Sequence, residues 1–446
     1  MTLAYRPDEM LRMVDKKNGT VRREIFSDQT IYEMELEQIF ARCWNFMCHD
    51  SQIPNPGDFF MSYIGEDRVI CVRDNDGNAQ VLINSCRHRG NAVCRAEEGH
   101  ATSFMCTYHG WTYDLKGNLV GVPGFKEVYH EELDRENWGL ITGRAESYRG
   151  WIFATLDPDA PSLHDYLGEV GRMGIDQVYA RGDTAQIMGI TKWTLPCNWK
   201  FAVDNCWDFY HAIITHPSAG MAGWRAGYIA NPGERDDVLS TPFNHVSVLG
   251  DYGHAIGGWA IPTRDMADKL NYGLVDTTWR DKPESQQLLG EVGMRSANAH
   301  PNVFPNLWIF NTFSKCSLRL PKGPMTTEIW WFVFKNPEAS DERQSYLTKR
   351  ALRHDGPGGV FEVDDGENWG ESTKGTSSLV ARRYPLHYAM NLGRGEVVID
   401  ETGPAHIDGG GNEHPQLWYY ENWTKWMAAS SWDELKSMEV PPEPIR

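Results

Sequence analysis

Two short sequences, CRHRG at residues 86–90 and CTYHG at residues 106–110, determine the fold class expected for this chain. Each contains a cysteine and a histidine two or three positions apart and ends in glycine, and 17 residues separate the first histidine from the second cysteine. Two thiolates and two imidazoles suit either a tetrahedral zinc ion or an iron–sulfur cluster with mixed ligands. The four candidate ligands are Cys86, His88, Cys106 and His109.

Short predicted strands surround both sequences from about residue 40 to residue 156. Residues 69–73 and 79–83 flank the sequence DNDGN at 74–78, which is a strong hairpin pattern. Residues 151–156 are a closing strand before an Asp-Pro pair. Both cysteine–histidine sequences therefore lie at hairpin ends in a small all-β module. This context favours a cluster over zinc, because the glycines let backbone N–H groups approach sulfide.

The pattern Cys-x-His, a spacer of 17 residues and Cys-x-x-His resembles the Rieske family. In that family two histidines replace two cysteines on one iron of a [2Fe–2S] cluster. The resemblance implies that Cys86 and Cys106 bind one iron, while His88 and His109 bind the other. Thr107 departs from the family, in which many members have proline at this position. The departure implies a less rigid loop and leaves all four ligands in place.

A second candidate site lies in the sequence CNWKFAVDNCWDFYHAIITH at residues 197–216. Asp208 and His211 are three residues apart, so they can touch on one helix. His211 and His216 are five apart, about 140° around an ideal helix, so they converge only if the helix ends or bends between them. Pro217 favours such an ending. Two histidines and a carboxylate form the facial triad of non-haem Fe(II) oxygenases, whereas ordinary core or surface histidines are the alternative.

The order of residues around these histidines resembles the catalytic region of Rieske oxygenase large subunits. The particular resemblance is to aromatic-ring-hydroxylating dioxygenases of the biphenyl, toluene, naphthalene and phenylpropionate type. Two residues separate Asn205 from Asp208, where those dioxygenases often have three. The shorter spacing leaves the iron site intact and weakens any inference about the substrate.

The carboxylate of the triad is implied by a sequence far downstream, GVFEVDDGENW at residues 359–369. This sequence resembles the family segment that provides the ligand, and the match implies Asp365. Composition alone does not choose Asp365 over its neighbours Glu362, Asp364 and Glu367.

The resemblance covers nearly the whole chain and implies an α+β protein. A small all-β Rieske domain is inserted before a larger catalytic domain, which is built on an antiparallel β-sheet with helices around it. We expect an N-terminal helical segment at 1–38 that packs on the catalytic domain. The Rieske [2Fe–2S] domain is expected at 39–157 and the mononuclear iron domain at 158–446. The N-terminal helix should begin at Ser27 or Asp28.

Local patterns in the larger domain predict further elements. Apolar runs predict strands at 307–313 and 328–334, joined through a Pro/Gly turn at 321–324. Residues 340–354 and 417–438 have helical patterns.

The family resemblance implies a terminal oxygenase that uses O2 to cis-dihydroxylate an aromatic ring, either of a hydrocarbon or of an aromatic acid. A Rieske-type monooxygenase or demethylase acting on a small apolar substrate is the alternative. Asp208 would bridge His211 to His109 of the next subunit in a homotrimer, or it would only orient His211. Asn205 is a weaker candidate for shaping the open iron position, and His300 for lining the substrate pocket.

Electrons are expected to come from NAD(P)H through a partner protein, because the chain has neither a dinucleotide fingerprint nor a second cysteine-rich motif. A ferredoxin with a flavin reductase, or one fused reductase, would supply them. A small β subunit is implied by analogy, so the assembly would be α3 or α3β3. Scattered arginines, such as Arg225, Arg264 and Arg319, do not identify a clamp for a substrate carboxylate.

Composition excludes some other classes of function. A net charge of −18 argues against nucleic acid as the partner, since phosphate binding needs clustered Lys and Arg. No apolar run approaches the roughly 18 to 20 residues that span a bilayer. The chain starts without an apolar signal core, and its nine cysteines fit thiols or metal ligands. We therefore expect a cytoplasmic protein.

Overall fold

The computed structural model describes residues 5–182, 186–222, 244–270, 275–311, 315–336, 340–399 and 401–438. The chain forms two compact units. One unit comprises Met1–Ile39 together with His164–Arg446, and the other comprises Phe40–Leu163. None of the described helices is long and apolar enough to span a bilayer.

The N-terminal segment contains helices α1 (Pro7–Leu11) and α2 (Gln29–Glu35) and the short strands β1 (Val14–Asp15) and β2 (Thr20–Val21). Helix α2 begins after Asp28, whose carboxylate accepts hydrogen bonds from the backbone N–H groups of Thr30 and Ile31. Such an N-cap stabilises a helix by about 1 kcal/mol, and the predicted start of this helix is confirmed. A π-helical turn, Leu36–Phe40, follows directly.

The smaller unit is built from short strands. They are β3 (Asn45–His49), β4 (Asp58–Ile64), β5 (Asp67–Arg73), β6 (Ala79–Ile83), β7 (Glu98–His100), β8 (Phe104–Met105), β9 (Thr112–Tyr113), β10 (Leu119–Gly121), β11 (Thr142–Tyr148) and β12 (Trp151–Thr155). Among the described residues they form a seven-stranded sheet, β3-β12-β11-β6-β5-β4-β7, and a three-stranded sheet, β10-β9-β8. Every neighbouring pair in both sheets is antiparallel.

The predicted hairpin between β5 and β6 is confirmed, with Val69 opposite Ile83. The Asp74 carboxylate closes its turn by accepting the backbone N–H groups of Asp76 and Asn78. Gly77 has a φ of +85°, a conformation that a residue with a Cβ rarely adopts.

The larger unit has longer strands and several helices. Its strands are β13 (Gln186–Leu195), β14 (His245–Leu249), β15 (Ala255–Trp259), β16 (His300–Val303), β17 (Leu307–Phe310), β18 (Lys315–Pro321), β19 (Thr327–Lys335), β20 (Leu386–His387), β21 (Glu396–Val398) and β22 (His406–Gly409). Its helices are α3 (Leu163–Tyr179), α4 (Trp199–Asp204), α5 (Ala212–Thr215), α6 (Pro217–Met221), α7 (Arg264–Leu270), α8 (Pro283–Arg295), α9 (Asp341–His354), α10 (Glu362–Ser377), α11 (His414–Ala428) and α12 (Trp432–Ser437).

The predicted antiparallel sheet of the larger unit is confirmed. In the described part of the chain it has nine strands in the order β13-β19-β18-β17-β16-β15-β14-β22-β21. The prediction that one turn joins residues 307–313 to residues 328–334 is wrong, because β18 lies between them and pairs with both β17 and β19. Strand β18 lacks an apolar pattern since Lys315 and Arg319 on it are buried in ion pairs. The predicted helix at 417–438 is divided into α11 and α12.

One face of this sheet carries the helices that matter for function. Directly opposed positions on β17, β18 and β19 place Trp308, Ser317 and Trp331 in a row. The Trp331 indole donates to Glu362 in α10 at 2.6 Å, and Arg319 Nε donates to the backbone oxygen of Ala202 in α4 at 3.2 Å. The sheet therefore holds α4 and α10 over the same surface.

Candidate metal centres and catalytic site

The two cysteine–histidine loops of the smaller unit have matching backbone geometry. The N–H groups of Gly90 and Gly110 donate to the carbonyl oxygens of Cys86 and Cys106 at 2.8 and 2.9 Å. Both glycines have positive φ, +74° and +75°, so a residue with a Cβ would strain either turn. Each turn folds back within five residues, which is why a cysteine and a histidine from one loop can face one centre.

Sulfur and nitrogen ligands of these loops have different surroundings. Cys86 and Cys106 belong to the core of the smaller unit and are 3% and 2% exposed, while His88 and His109 are half-buried. The Nδ1 atoms of the two histidines lie 3.1 Å apart, and the His88 ring stacks on Trp111. This arrangement places two thiols inside and two imidazoles toward the surface.

Hydrogen-bond donors surround the sulfur atoms. The Tyr113 hydroxyl lies 3.3 Å from Cys86 Sγ, and the Asn91 amide donates to Cys106 Sγ at 3.6 Å. Burial raises the pKa of the Cys106 thiol, but the backbone N–H groups of Tyr108 and His109 and the Asn91 amide outweigh it and lower that pKa. Donors that favour thiolate suit a metal ligand.

The second candidate site brings three predicted ligands together in the larger unit. His211 Nε2 lies 3.2 Å from His216 Nε2, and Asp365 Oδ1 lies 3.2 Å from each of them. One cation can reach all three atoms at an ordinary bond length of about 2.1 Å. Asp365 Oδ1 is buried and has no hydrogen-bond partner, so this oxygen suits a cation.

Compactness separates this site from the cysteine–histidine loops. Among the described residues, His211, His216 and Asp365 are the one set of three or more His, Cys, Asp or Glu side chains whose ligand atoms fit within 4.8 Å of one another. The cysteine and histidine ligands of the smaller unit form no set this compact.

The local chain conformation explains why the two histidines converge. Helix α5 ends at Thr215, and His216 has φ −109° and ψ 36°, which is outside the helical region. Pro217 then starts α6. The predicted break between His211 and His216 is confirmed.

Asp365 is in the first turn of α10, and its acidic neighbours are engaged elsewhere or exposed. Glu362 accepts hydrogen bonds from the Trp331 indole and the Gly356 N–H, both at 2.6 Å. Asp364 accepts the Ser218 hydroxyl at 2.6 Å, and its Oδ2 lies 3.6 Å from His216 Nδ1. The fourth candidate, Glu367, is exposed. Among these four carboxylates, Asp365 is the one with an oxygen 3.2 Å from both histidines.

Asp208 is positioned next to His211. Its Oδ1 accepts the backbone N–H groups of Tyr210 and His211 at 2.9 and 3.1 Å, and its Oδ2 lies 3.4 Å from His211 Nδ1. Burial raises the pKa of Asp208, but the contacts with His211 outweigh it and lower that pKa. Burial also lowers the pKa of His211, whereas Asp208 and Asp365 raise it to about 10. The two carboxylates therefore favour a positive charge at this position, whether from a proton or a metal ion.

The two weaker candidates have different surroundings. Asn205 lines a cavity of about 520 Å³ together with Asp208, His211 and Asp365. His300 is on the sheet, where its Nδ1 is 2.7 Å from the backbone oxygen of Cys206 and its ring lies 4.7 Å from that of Phe310. Burial lowers the pKa of His300 to about 4, so the ring is neutral at physiological pH.

The arginines that the sequence left unassigned do not form a free clamp in the described residues. Arg319 is fully buried and lies 3.4 Å from Glu362. Arg264 is partly exposed and pairs with Asp281 at 2.5 Å. Arg225 is outside the described residues.

Sequence reasoning gave no role to three residues in or next to the cavity. Asp204, at the end of α4, accepts hydrogen bonds from the hydroxyl groups of Tyr388 and Tyr420. Asp204 adjoins the motif with Asn205 and Asp208, so its position was visible in the sequence. The two tyrosines are 184 and 216 residues away from it, and no local pattern links them to the site.

The fold and the sites together define an iron-dependent oxygenase class: an all-β unit with a cysteine–histidine loop pair, and an antiparallel α+β unit with a facial triad. Comparisons with known proteins agree. The family described as "Rieske [2Fe-2S] domain" matches residues 43–132, and the family described as "Ring hydroxylating alpha subunit (catalytic domain)" matches residues 169–429.

Similar proteins cover almost the whole chain. The biphenyl dioxygenase α subunit of Paraburkholderia xenovorans (strain LB400) is 35% identical over 97% of this chain and 96% of its own. The benzene 1,2-dioxygenase α subunit of Pseudomonas putida is 34% identical over 97% of each chain. Naphthalene 1,2-dioxygenase from Rhodococcus sp., solved with bound indole, superposes with a TM-score of 0.79 and 32% identity over 95% of this chain and 98% of that chain.

This chain belongs to the family of ring-hydroxylating oxygenase α subunits with a Rieske domain. The predicted fold class and the predicted enzyme class are confirmed. Family membership implies a Rieske [2Fe–2S] cluster and a mononuclear iron as cofactors. It also implies a terminal oxygenase of a multicomponent system that receives electrons from a ferredoxin or reductase.

Proposed function

We propose that this chain is the catalytic subunit of an aromatic-ring dioxygenase, which uses O2 and two electrons to convert an arene into a cis-dihydrodiol. The observation that carries the proposal is the triangle of His211, His216 and Asp365, with all three edges 3.2 Å long. Three ligands on one side of a cation leave the opposite side for O2 and substrate. The names of the relatives support an aromatic substrate.

In this proposal each candidate residue has a defined role. His211, His216 and Asp365 hold the mononuclear iron. The cluster ligands are Cys86 and Cys106 on one iron, and His88 and His109 on the other. When bound, the cluster supplies electrons one at a time and the mononuclear iron activates O2. We further propose that the Rieske domain is 39–157 and the catalytic domain 158–446, with 1–38 packed on the latter; the compact units support these boundaries.

Asp208 is proposed to connect the two metal sites between subunits. Its carboxylate is close to His211 but remains 38% exposed, on the cavity of about 520 Å³. An exposed carboxylate next to a metal ligand can accept a hydrogen bond from His109 of a neighbouring copy, and a carboxylate in that position orients the histidine ring. A homotrimer, with or without a small β subunit, would provide that neighbour.

Aromatic side chains are proposed to surround the substrate on the sheet side of the triad. The His216 ring contacts Phe361, whose ring stacks on His354 at 4.2 Å between centroids. His354 in turn contacts Phe310, and Phe310 contacts His300. A row of aromatic rings of this kind suits an arene. Burial keeps the His300 ring neutral by lowering its pKa to about 4. The seven buried cysteines outside the two cluster loops support a cytoplasmic location, because such a compartment keeps thiols reduced.

A single turnover under 18O2 tests the function. The chemically reduced holoenzyme is mixed with a panel of arenes and aromatic acids, and the products are weighed. Two labelled oxygens in one dihydrodiol are expected. One labelled oxygen would instead establish the monooxygenase alternative. An Asp365→Asn variant, with its cluster intact, is the control and should give no labelled product.

A further inference from the structure

The cavity beside the triad contains a carboxyl group that the proposed function does not use. Asp204 lines this cavity with Asp208, His211 and Asp365. The hydroxyl groups of Tyr388 and Tyr420 both donate to Asp204 Oδ2, at 2.8 and 2.6 Å. Both bonds fall on Oδ2, so Oδ1 accepts neither of them, and the residue keeps partial exposure.

The two tyrosines come from separate segments that hold Asp204 in place. Tyr388 follows β20, and Tyr420 is within α11. The rings of the two tyrosines pack against each other with 5.1 Å between their centroids. Burial raises the pKa of each tyrosine well above its usual value, so both remain hydrogen-bond donors at any physiological pH. They cannot supply the proton themselves, but they can stabilise the charged form of Asp204.

Burial and two neighbouring carboxylates favour proton uptake by Asp204. Burial raises the pKa of Asp204 to about 7, the two tyrosine hydroxyls counteract this effect, and the charges of Asp208 and Glu413 add to it. The titratable or charged groups around the cavity are Arg23, Asp208, His211, Asp365, His387, Tyr388, Glu413 and Tyr420. Asp204 therefore has a proton to give near neutral pH, at a position that opens toward the metal ligands.

We propose that Asp204 holds and supplies a proton to the metal cavity during ring dihydroxylation, with Tyr388 and Tyr420 setting its proton affinity. The inference rests on the proposed function. Arene, O2, two electrons and two protons give one cis-dihydrodiol: the O–O bond breaks, two C–O bonds form, and two O–H bonds take up the protons. The reductase chain supplies the electrons. Asp204 gives a proton to cavity water and regains one from solvent through the same opening.

The pH dependence of turnover tests this role in the holoenzyme with its reductase chain. Turnover of the wild-type protein should fall as the pH rises through about 7, because deprotonated Asp204 has no proton to give. Asp204→Asn should abolish this inflection in the plot of turnover against pH. It should also lower kcat by about 100-fold or more, with unchanged iron content. Asp204→Glu should restore the inflection. An unchanged inflection and a kcat within about twofold of wild type in Asp204→Asn would overturn the proposal.

Tyrosine variants separate proton supply from a structural role. Tyr388→Phe and Tyr420→Phe each remove a donor that stabilises the charged carboxylate. The inflection should therefore move to higher pH by about one unit, since a hydrogen bond to a charged group contributes about 1.5 kcal/mol. A purely structural role would lower turnover at every pH and leave the inflection in place, and that result would also contradict the proposal.

A readout without turnover comes from infrared difference spectra of the metal-free protein, titrated between about pH 5 and 9. A protonated carboxyl band that disappears near pH 7 is expected in the wild type and should be absent in Asp204→Asn. If this band does not exist, the proton proposal fails. If the wild type gives no doubly labelled product under 18O2 while the band titrates as expected, the proposed function fails and the titration of Asp204 stands.

Discussion

Lys200 and Glu35 form an ion pair with 2.5 Å between Nζ and Oε1, and both side chains are fully buried. Glu35 also accepts the indole N–H groups of Trp199 and Trp423, at 2.9 and 2.8 Å. The glutamate is the last residue of α2, while Lys200 is in α4, the helix that ends at Asp204. One carboxylate thus ties the N-terminal segment to the helix that precedes Asn205 and to α11.

The buried pair predicts a strong and non-additive effect on stability. Lys200→Met leaves the Glu35 carboxylate without its cation and should lower the free energy of unfolding by about 3 to 5 kcal/mol. Adding Glu35→Gln removes the isolated charge and keeps one of the two oxygens that accept the indoles, so the double variant should be more stable than Lys200→Met alone. Denaturant unfolding of the wild type, Lys200→Met, Glu35→Gln and the double variant measures the coupling energy between the two side chains. Simple additivity would contradict this account.

The triangle of His211, His216 and Asp365 predicts which carboxylate binds the mononuclear iron. Asp365→Asn should weaken iron binding by more than the roughly 10- to 100-fold that follows loss of a supporting residue. Matched controls are Asp364→Asn, next to it in the chain, and Glu367→Gln, which is exposed. Both should retain iron, as measured by metal analysis after subtracting the iron of the cluster. Loss of iron in Asp364→Asn with retention in Asp365→Asn would reverse the assignment.

The loop pair of the smaller unit predicts a red-brown protein with labile sulfide. Cys86→Ser and His109→Ala should remove the visible absorption of the cluster, while the mononuclear iron remains in the other unit. Cys94→Ser is the control, because Cys94 is also buried in the same core but lies outside both loops. A colourless wild-type protein that contains zinc and no sulfide would refute the cluster assignment.

The position of Asp208 predicts a defect in electron transfer without a loss of metal. Asp208→Asn should retain both metals and lower turnover by about 100-fold. After mixing with substrate and O2, its cluster should remain reduced, which stopped-flow absorbance follows. Tyr210→Phe is the control, because the contact of Tyr210 with Asp208 uses only the backbone N–H. Wild-type reoxidation in Asp208→Asn would eliminate the proposed bridge.

A buried histidine predicts loss of stability in acid. His254 accepts the Phe304 N–H at Nδ1, its Nε2 lies 2.8 Å from the Tyr166 carbonyl oxygen, and burial lowers its pKa to about 4. In the unfolded chain this histidine takes up a proton near pH 6.5. Its contribution to the free energy of unfolding is therefore complete above about pH 6.5 and declines as the pH falls toward 4. At pH 4 this histidine alone contributes a loss of about 3 kcal/mol.

Thermal unfolding of metal-free protein at a series of pH values measures this effect. His254→Gln should be less stable at pH 7 and show a smaller decline toward pH 4. The exposed His130→Asn should follow the wild-type pH dependence. Equal declines in His254→Gln and wild type would show that other groups are responsible.

Local spacing was enough to predict the ligand types, the β5–β6 hairpin, the start of α2 at Ser27 or Asp28 and the break at His216. Each of these features depends on residues within a few positions of one another. Turn formation, helix capping and chelation by one loop are decided at that range, so they are visible in the sequence. Family resemblance added Asp365, which composition could not choose from three acidic neighbours.

Tertiary structure alone decided the features that join distant segments. It brought Asp365 Oδ1 within 3.2 Å of both histidines, paired Lys200 with Glu35, and brought Tyr388 and Tyr420 to Asp204. It also showed strand β18, which was not predicted because Lys315 and Arg319 interrupt its apolar pattern. Burying a polar group costs free energy unless it has a hydrogen-bond or ion-pair partner. That partner can come from any part of the chain that the fold brings near. The sequence therefore determined the chemistry of the ligands, and the packing of helices on the sheet determined their partners.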